Sequence, residues 1–265
     1  MEKCYICNME TEVKRGSDPI GNNLKTALYM IPVTISETPA RDVLPERNIE
    51  IIRSLKYFIV ENIRTARRFL KSVDPGIEIS GLTFYELNGH TPEDEISGYL
   101  NPLREGEAIG MMSEAGCPGV ADPGASVVAI AQREGMSVIP LVGPSSILLA
   151  LMASGMNGQK FTFQGYLPVE PSQRDRTIRE LETQSDRQDM TQIFIETPYR
   201  NQKMMESLVK NLHGETLLCV ASDITSVEKE NIKTLKVKDW KARGFSLEKV
   251  PTIFLFYSGL TGKRR

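Results

Sequence analysis

Several features that would assign a chain to a common class are scarce in this sequence. Only four cysteines and two histidines occur in 265 residues, so no disulfide framework is expected and a reducing compartment is predicted. The formal net charge is −2, which excludes a broadly basic nucleic-acid-binding surface and leaves local basic patches as candidates. Such patches are Arg64, Arg67 and Arg68, and residues 263–265.

Long apolar runs are also missing. The most apolar stretch, residues 138–152, is interrupted by Pro140, Gly143 and Pro144, and it is shorter than the roughly 20 residues that a membrane helix needs. Residues 1–23 are polar and lack the apolar centre of a signal peptide. The sequence therefore predicts a cytoplasmic protein without a membrane segment and with a loose N-terminal leader over residues 1–23.

Cys4 and Cys7 have the spacing of half a zinc knuckle. The other half is missing from the sequence, because no second pair of closely spaced cysteines or histidines follows. We therefore predict no metal site, and an unstructured leader is the favoured interpretation.

From Leu24 onward, strand-like and helix-like segments alternate. This alternation predicts βαβ units and a largely parallel sheet. The expected strands are residues 27–33, 57–60, 83–87, 108–112 and 137–142. The expected helices are residues 45–56 and 62–73, one from Thr91-Pro92 to Gly106 with Thr91 as N-cap, one capped by Asp122 and ending at Gly135, and one from Pro144 to residues 154–155.

A polar break at residues 155–160 separates a second pattern. Strands are expected at residues 161–163, 192–196, 217–221, 232–237 and 252–257, with helices at residues 174–184 and 199–212. The predicted fold class is therefore α/β with two α/β domains, a parallel-rich first sheet and a mixed second sheet. The domains are expected at residues 24–157 and 158–265.

Two loops rich in glycine, proline and serine follow neighbouring predicted strands. They are SEAGCPGVADPG at residues 113–124 and GPSS at residues 143–146. Ligands of open α/β sheets bind at the carboxyl ends of strands, where such loops meet. The first loop has neither the lysine of a P-loop nor a G-x-G-x-x-G pattern, so a phosphate clamp is poorly supported. The alternative is a tight strand-to-helix turn without a ligand.

Three motifs in order carry a family resemblance: residues 113–124, PLVGPSS at residues 140–146, and FTFQGYLP at residues 161–168. Together they resemble the tetrapyrrole-methylase superfamily of S-adenosylmethionine-dependent methyltransferases. Within it, the chain is most similar to the branch that methylates a cytidine ribose of small-subunit ribosomal RNA. The resemblance extends over roughly residues 24–260.

This resemblance implies two α/β domains with S-adenosylmethionine bound in the cleft between them, and a homodimer. Cofactor contacts are expected in both domains. The implied cofactor-binding residues are Pro32, Ser113, Glu114, Ala115, Gly116, Cys117, Pro118, Val120, Ala121, Asp122, Ser145, Ser146, Ile195, Ala221 and Thr252.

Four motifs of the RNA branch are altered here. T-P-I-G-N is IPVTI at residues 31–35, E-D-T-R is ENIR at residues 61–64, E-S-P-H-R is ETPYR at residues 196–200, and A-R-E-L-T is ASDIT at residues 221–225. The chain therefore resembles a divergent member, whose acceptor could differ from that RNA position.

Methyl transfer from an activated sulfonium needs alignment and desolvation more than acid–base groups. A hydroxyl acceptor still benefits from a base, and Glu61 is the candidate because it follows a predicted strand. A helix-start acid is the alternative role for Glu61. Arg64 and Arg200 are candidates for contacting a substrate phosphate or propionate, with surface ion pairs as the alternative.

Three functions remain open from the sequence. The first is methylation of ribosomal RNA ribose, with ribosomal RNA or the small ribosomal subunit as partner. The second is methylation of a tetrapyrrole or another small molecule. The third is a cofactor-binding protein without catalysis.

Overall fold

The computed structural model describes residues 24–259, which form two five-stranded sheets. The predicted leader over residues 1–23, the Cys4 and Cys7 pair and the basic residues 263–265 lie outside the described residues.

The first sheet has the strand order β3-β2-β4-β1-β5, and every neighbouring pair is parallel. The parallel-rich first sheet is thereby confirmed. Its strands are β1 (Leu28–Met30), β2 (Tyr57–Val60), β3 (Thr83–Glu86), β4 (Ile109–Met112) and β5 (Val138–Pro140). The helices of this part are α1 (Ala40–Val43), α2 (Glu46–Ser54), α3 (Ile63–Val73), α4 (Glu93–Ile96), α5 (Asn101–Arg104), α6 (Gly124–Arg133) and α7 (Ser146–Ser154), with 3₁₀ turns at Ile79–Gly81 and Ser97–Leu100.

Both faces of this sheet are covered, as a parallel sheet requires. Successive side chains of a strand point to opposite faces, so Phe58 and Ile59 of β2 enter two different cores. Phe58 packs in a cluster with Ile52 and Leu70, and Ile59 packs in a cluster with Val127. The continuous apolar run of β2 follows from this two-sided burial.

The second sheet has the order β6-β7-β10-β8-β9; β6 and β7 are parallel, and the remaining pairs are antiparallel. The predicted mixed sheet is therefore confirmed. Its strands are β6 (Phe161–Tyr166), β7 (Thr191–Glu196), β8 (Leu217–Ser222), β9 (Asn231–Lys236) and β10 (Thr252–Tyr257). Its helices are α8 (Pro171–Gln188), α9 (Asn201–Asn211) and α10 (Val237–Arg243), with a 3₁₀ turn at Pro198–Arg200.

Helix α7 joins the two sheets. Its Ala150 and Leu151 are buried in one cluster with Ile193 and Leu255 of the second sheet, and the Thr234 hydroxyl of β9 donates a hydrogen bond to the Ser154 carbonyl at 2.9 Å. The loop that precedes α7 is thereby held against the edge of the second sheet.

The predicted helix from Thr91 to Gly106 is wrong in its start and its continuity. Residues 93–104 are helical but contain a 3₁₀ turn between α4 and α5, because Pro102 has no N–H to donate to an α-helical bond. Thr91 is not the N-cap: Pro92 holds that position. The Thr91 hydroxyl instead donates to the Glu86 carbonyl at 3.2 Å and accepts from the Asn88 N–H at 3.0 Å.

Candidate functional site

A cavity of about 350 Å³ lies between the two sheets, at the edge where strand ends from both converge. The first sheet contributes the loops after β4 and β5. The second contributes the carboxyl ends of β7 and β8 and the amino end of β10, which lies at the same edge because Thr252 pairs with both Glu196 and Ser222 in antiparallel register. The lining residues are Ile35, Glu61, Ser113, Glu114, Ala115, Gly116, Cys117, Val120, Ala121, Asp122, Ser145, Ser146, Ile147, Phe163, Tyr166, Ile195, Glu196, Thr197, Pro198, Ala221, Ile224, Pro251, Thr252 and Ile253.

The cavity brings together all the residues that the sequence nominated for the cofactor except Pro32 and Pro118. Pro32 is buried behind Gly143, where an added Cβ would lie 2.4 Å from the Pro32 Cβ. Pro118 lines a small crevice on the other side of its loop. The binding role of the whole set stays a prediction.

The loop over residues 113–122 owes its shape to three residues with positive φ: Gly116 (71°), Gly119 (82°) and Ala121 (61°). Asp122 fixes this path, because its Oδ1 accepts the N–H of Gly119 at 2.9 Å and that of Gly124 at 2.7 Å. The prediction of Asp122 as N-cap of α6 is therefore wrong by one residue, since Pro123 occupies that position. The loop is rigid enough to present its backbone to the cavity.

Both loops are held to their surroundings by specific bonds. Gly116 and Val33 exchange backbone hydrogen bonds of 2.9 and 3.3 Å, and the Cys117 thiol donates to the Pro144 carbonyl at 3.4 Å. Burial raises the pKa of the Cys117 thiol, so the side chain is neutral. Ser145 is the N-cap of α7 and accepts from the Leu148 N–H at 3.5 Å. The sequence left capping and cavity-facing roles open for Ser145, and the structure assigns it both positions.

Three carboxylates, Glu61, Glu114 and Asp122, line one wall of the cavity. The Glu114 N–H donates to Glu61 Oε1 at 3.2 Å, and the Thr65 hydroxyl donates to Glu114 Oε1. The pKa of Glu61 is raised, mainly by burial and further by the charges of Asp122 and Glu114, although the Glu114 N–H bond opposes this. A carboxylate of this kind is a better base than an exposed one.

The N-cap of α3 is the neighbour of Glu61, and the alternative role of Glu61 as a helix-start acid stays a prediction. Asn62 is the N-cap of α3, and its Oδ1 accepts from the N–H groups of Arg64 and Thr65 at 2.9 and 3.2 Å. The Glu61 carboxylate is therefore directed at the cavity and the Glu114 backbone.

The wall formed by the second sheet is mostly apolar, and several of its residues were not predicted. These are Phe163, Tyr166, Ile224 and Ile253, which line the cavity together with Ile195, and Ile147 of α7 is a further apolar lining residue that was not predicted. Phe163 and Tyr166 lie inside the FTFQGYLP motif, so this signal was present in the sequence. Ile253 carried no such signal, because alternation in a strand does not reveal which face meets a cavity, whereas Ile224 lies in the altered ASDIT motif at residues 221–225.

The two nominated arginines occupy different environments. Arg200 forms an ion pair of 2.7 Å with Glu196, whose side chain is fully buried, so Arg200 is ion-paired as in the alternative, but the pair is not on the surface. Arg64 is exposed and lines neither this cavity nor the larger one beside it. A substrate contact by either residue remains a prediction.

A second cavity of about 1130 Å³ adjoins the first and shares Ile35, residues 113–115 and Pro251 with it. Its wall includes α3, the segment over residues 33–39, and the loops over residues 223–229 and 249–251. It contains the cations Arg68, Lys229 and Lys249 and the acids Glu37, Glu114, Asp223 and Glu228. The smaller cavity therefore opens into a space large enough for an acceptor.

Within residues 24–259, no group of three histidine, cysteine or acidic side chains is arranged to hold a metal ion. The helices of the same residues include none with the length and apolarity to cross a bilayer.

No family model matches the chain. It is 29% identical over 198 residues to ribosomal RNA small subunit methyltransferase I of Vibrio cholerae, covering 75% of this chain and 65% of that protein. It is 30% identical over 184 residues to the protein of the same name from Xylella fastidiosa, covering 69% of this chain and 64% of that protein. The chain thus spans slightly less than two thirds of these two relatives.

Two solved methyltransferase structures share the fold of this chain. The methyltransferase CobJ superposes with a TM-score of 0.58 at 17% identity, covering 90% of this chain and 96% of that one. Cobalt precorrin-4 methyltransferase CbiF superposes with a TM-score of 0.55 at 16% identity, covering 89% of this chain and 97% of CbiF. The resemblance carried by the three motifs is confirmed: the chain has the fold of the tetrapyrrole methyltransferases and is related in sequence to ribosomal RNA small subunit methyltransferase I.

Proposed function

We propose that the chain is an S-adenosylmethionine-dependent methyltransferase that methylates a ribose hydroxyl of small-subunit ribosomal RNA. The cavity of about 350 Å³ at the convergence of strand ends carries this proposal, because all three motifs of the resemblance contribute to its wall. Its volume lies in the usual range for cofactor sites, roughly 300–1,000 Å³.

The lining residues fit S-adenosylmethionine in their chemistry. Ile195, Ile224 and Ile253 form an apolar wall suited to an adenine ring. The Gly116 loop and the Ser146 hydroxyl face them and suit the polar ribose and methionine groups. The carboxylates of Glu61, Glu114 and Asp122 favour a positively charged sulfonium by Coulomb attraction. When bound, the cofactor supplies an activated methyl group.

The chain itself supplies orientation, exclusion of water and a base. The Asp122 side chain and the Val33 backbone hold the Gly116 loop in one shape, which fixes the position of whatever binds against it. The Glu61 carboxylate would accept the proton of the acceptor hydroxyl at its free Oε atom, since Oε1 is bonded to the Glu114 N–H. The larger cavity adjoins the smaller one at Glu114, which lines both, so an acceptor would reach Glu61 in the smaller cavity past Glu114.

A tetrapyrrole or another small acceptor is the second candidate. The volume of the larger cavity and the fold shared with the methyltransferases CobJ and CbiF favour it. The charge of that cavity disfavours it, because four carboxylates stand against three cations there, and a substrate with several propionates would meet repulsion. The relatives in sequence support RNA as the acceptor.

Calorimetric titration of the full chain with S-adenosylmethionine and with S-adenosylhomocysteine is the first test. We expect micromolar binding that Ser145→Tyr weakens. Incubation with labelled cofactor and unmethylated small ribosomal subunits, or a tetrapyrrole, then identifies the acceptor. Binding without transfer to either acceptor would support the non-catalytic alternative, and no binding would overturn the proposal.

The proposal also covers the oligomeric state and the cellular location of the protein. We infer a homodimer in the cytoplasm, built from a 24–157 domain and a 158–265 domain. The dimer is supported by an apolar surface on and before α7, where Val142, Leu148 and Met152 are exposed by 74%, 51% and 79%.

A further inference from the structure

The larger cavity has two lips of unlike chemistry. One lip is α3, whose exposed residues are largely basic, and the other contains an exposed tyrosine beside a lysine. We propose that these lips bind single-stranded RNA, with α3 following the phosphate backbone and Tyr199 stacking on a base next to the nucleotide that enters the cavity. This inference rests on the proposed function and assigns its substrate contacts.

The basic lip is a continuous stripe. Arg64, Arg68 and Lys71 are spaced by four and three residues, so they share one face of α3, and Arg67 lies beside them. All four are exposed. Arg68 lines the larger cavity, and Arg64 lies one turn nearer to Glu61 at the start of the helix.

These cations are not neutralised by the protein. The guanidinium groups of Arg64 and Arg68 contact no carboxylate in the part of the chain that the structure describes. Arg67 lies over the Phe84 ring at 5.4 Å, and Lys71 donates to the Pro75 carbonyl at 2.8 Å. Most other arginines of this half, such as Arg53 and Arg104, are held in ion pairs with acids. A stripe of free cations on one helix is suited to phosphate groups.

The second lip carries an aromatic platform. Tyr199 lies in the 3₁₀ turn after β7, its ring is 80% exposed, and the Lys249 ammonium lies 5.6 Å from the ring centroid. The preceding Pro198 lines the smaller cavity, and Lys249 lines the larger one. Tyr199 itself lines neither cavity, and it lies on the surface beside these two lining residues. An exposed ring with an adjacent cation is a typical platform for an unpaired base.

The acids of the larger cavity favour this arrangement of the strand. Glu37, Asp223 and Glu228 line it on segments other than α3 and would repel a phosphate, and the fourth acid, Glu114, is bonded to the Thr65 hydroxyl of α3. The backbone would therefore remain on α3, while the uncharged ribose and base turn inward toward Glu61. Duplex RNA cannot present a base to Tyr199 without unstacking, so single-stranded RNA is the expected ligand.

The test is fluorescence anisotropy with a short labelled single-stranded RNA over a range of salt concentrations. The double variant Arg64→Ala/Arg68→Ala should weaken binding at low salt. It should also reduce the slope of log affinity against log salt by about 0.7 for each phosphate contact removed. The matched control is Arg133→Ala/Arg187→Ala, which removes two exposed arginines of α6 and α8, outside the basic stripe, and should leave the slope unchanged. Equal slopes for both double variants would overturn the role of α3.

Tyr199 is tested in the same assay. Tyr199→Ala should weaken binding about 5- to 100-fold, Tyr199→Phe should retain it, and neither should change the salt slope. The same RNA in a duplex should bind more weakly, and neither substitution at Tyr199 should change its affinity. Equal binding of Tyr199→Ala and the unmodified chain, or preference for the duplex, would overturn the stacking role.

Cofactor titration separates this inference from the proposed function. If the chain binds S-adenosylmethionine but no RNA, the proposal that the two lips bind RNA is refuted. The remaining hypothesis is then methylation of a small molecule. A chain that binds RNA through these residues but no cofactor supports the lips and refutes the proposed function. All the substituted side chains are exposed or partly exposed, so thermal unfolding should be close to that of the unmodified chain.

Discussion

Glu61 combines partial burial, two neighbouring acids and an open cavity, so its protonation should govern any activity that uses it as a base. The pKa of Glu61 is raised above 4.5. Activity should therefore rise as the pH increases through that raised pKa, because only the ionised carboxylate accepts a proton.

Glu61→Gln removes the carboxylate base and keeps the size and shape of the side chain. We expect kcat to fall by about 10²- to 10⁴-fold with little change in cofactor affinity, measured by single-turnover methyl transfer across pH. Since a raised folded-state pKa makes the ionised group destabilising above that pKa, Glu61→Gln should also unfold at a slightly higher temperature at neutral pH. An unchanged kcat would show that Glu61 is not the catalytic base.

Gly116 tests whether the loop backbone binds the cofactor. Its φ of 71° is costly for a β-branched residue, and its position in the cavity wall adds a second penalty. Gly116→Val should weaken S-adenosylmethionine binding at least tenfold in calorimetry.

Gly135 is a matched control, with a φ of 70° and no atom within 4 Å of an added Cβ. Gly135→Val should lower stability by a similar amount and keep the affinity. If both variants lose affinity equally, the effect belongs to stability and not to the site.

At the scale of elements, α3 depends on its cap. Asn62 accepts two backbone N–H groups, so Asn62→Ala should lower the free energy of unfolding by about 1 kcal/mol, as measured by urea denaturation. Asn62→Asp keeps an acceptor and should restore most of this loss. An unchanged free energy of unfolding in Asn62→Ala would show that α3 is stabilised by packing alone.

The same elements show how far the sequence could predict the structure. Tyr57–Val60 and Thr252–Tyr257 were predicted at their observed bounds, because their apolar runs are short and bounded by polar residues. The motif loops were predicted to converge, because glycine and proline act locally and parallel strands end at one edge. The 3₁₀ turn at Ser97–Leu100 was missed, since it results from Pro102, two residues after the end of the turn.

Contacts between distant parts could not be derived from the sequence. The Ser36 and Thr225 hydroxyls lie 2.9 Å apart, and the Thr38 hydroxyl donates to the Thr225 carbonyl at 2.7 Å. These bonds connect the segment after β1 to the loop after β8. Local propensity carries no information on such a pairing, so the shape of the larger cavity was accessible only from the structure.

At the scale of the whole molecule, α7 has apolar residues on opposite sides. Ala150 and Leu151 are buried against the second sheet, whereas Leu148 and Met152 face solvent together with Val142. Exposed apolar residues grouped on one surface mark an interaction site more often than a free surface. Because Ser146 and Ile147 at the start of α7 line the smaller cavity, a partner on this surface would also stabilise the cavity.

Leu148→Asp/Met152→Asp should therefore convert a dimer of twice 29.6 kDa into a monomer, as measured by light scattering after size exclusion. The charges would be buried without partners in the interface, which is strongly unfavourable. Val169→Asp is the control, since Val169 is 70% exposed and precedes α8 on another part of the chain. A monomer before substitution would contradict the dimer, and a dimer that survives the double variant would place the interface elsewhere. A monomeric variant with weaker cofactor binding would show that the second copy supports the cavity through α7.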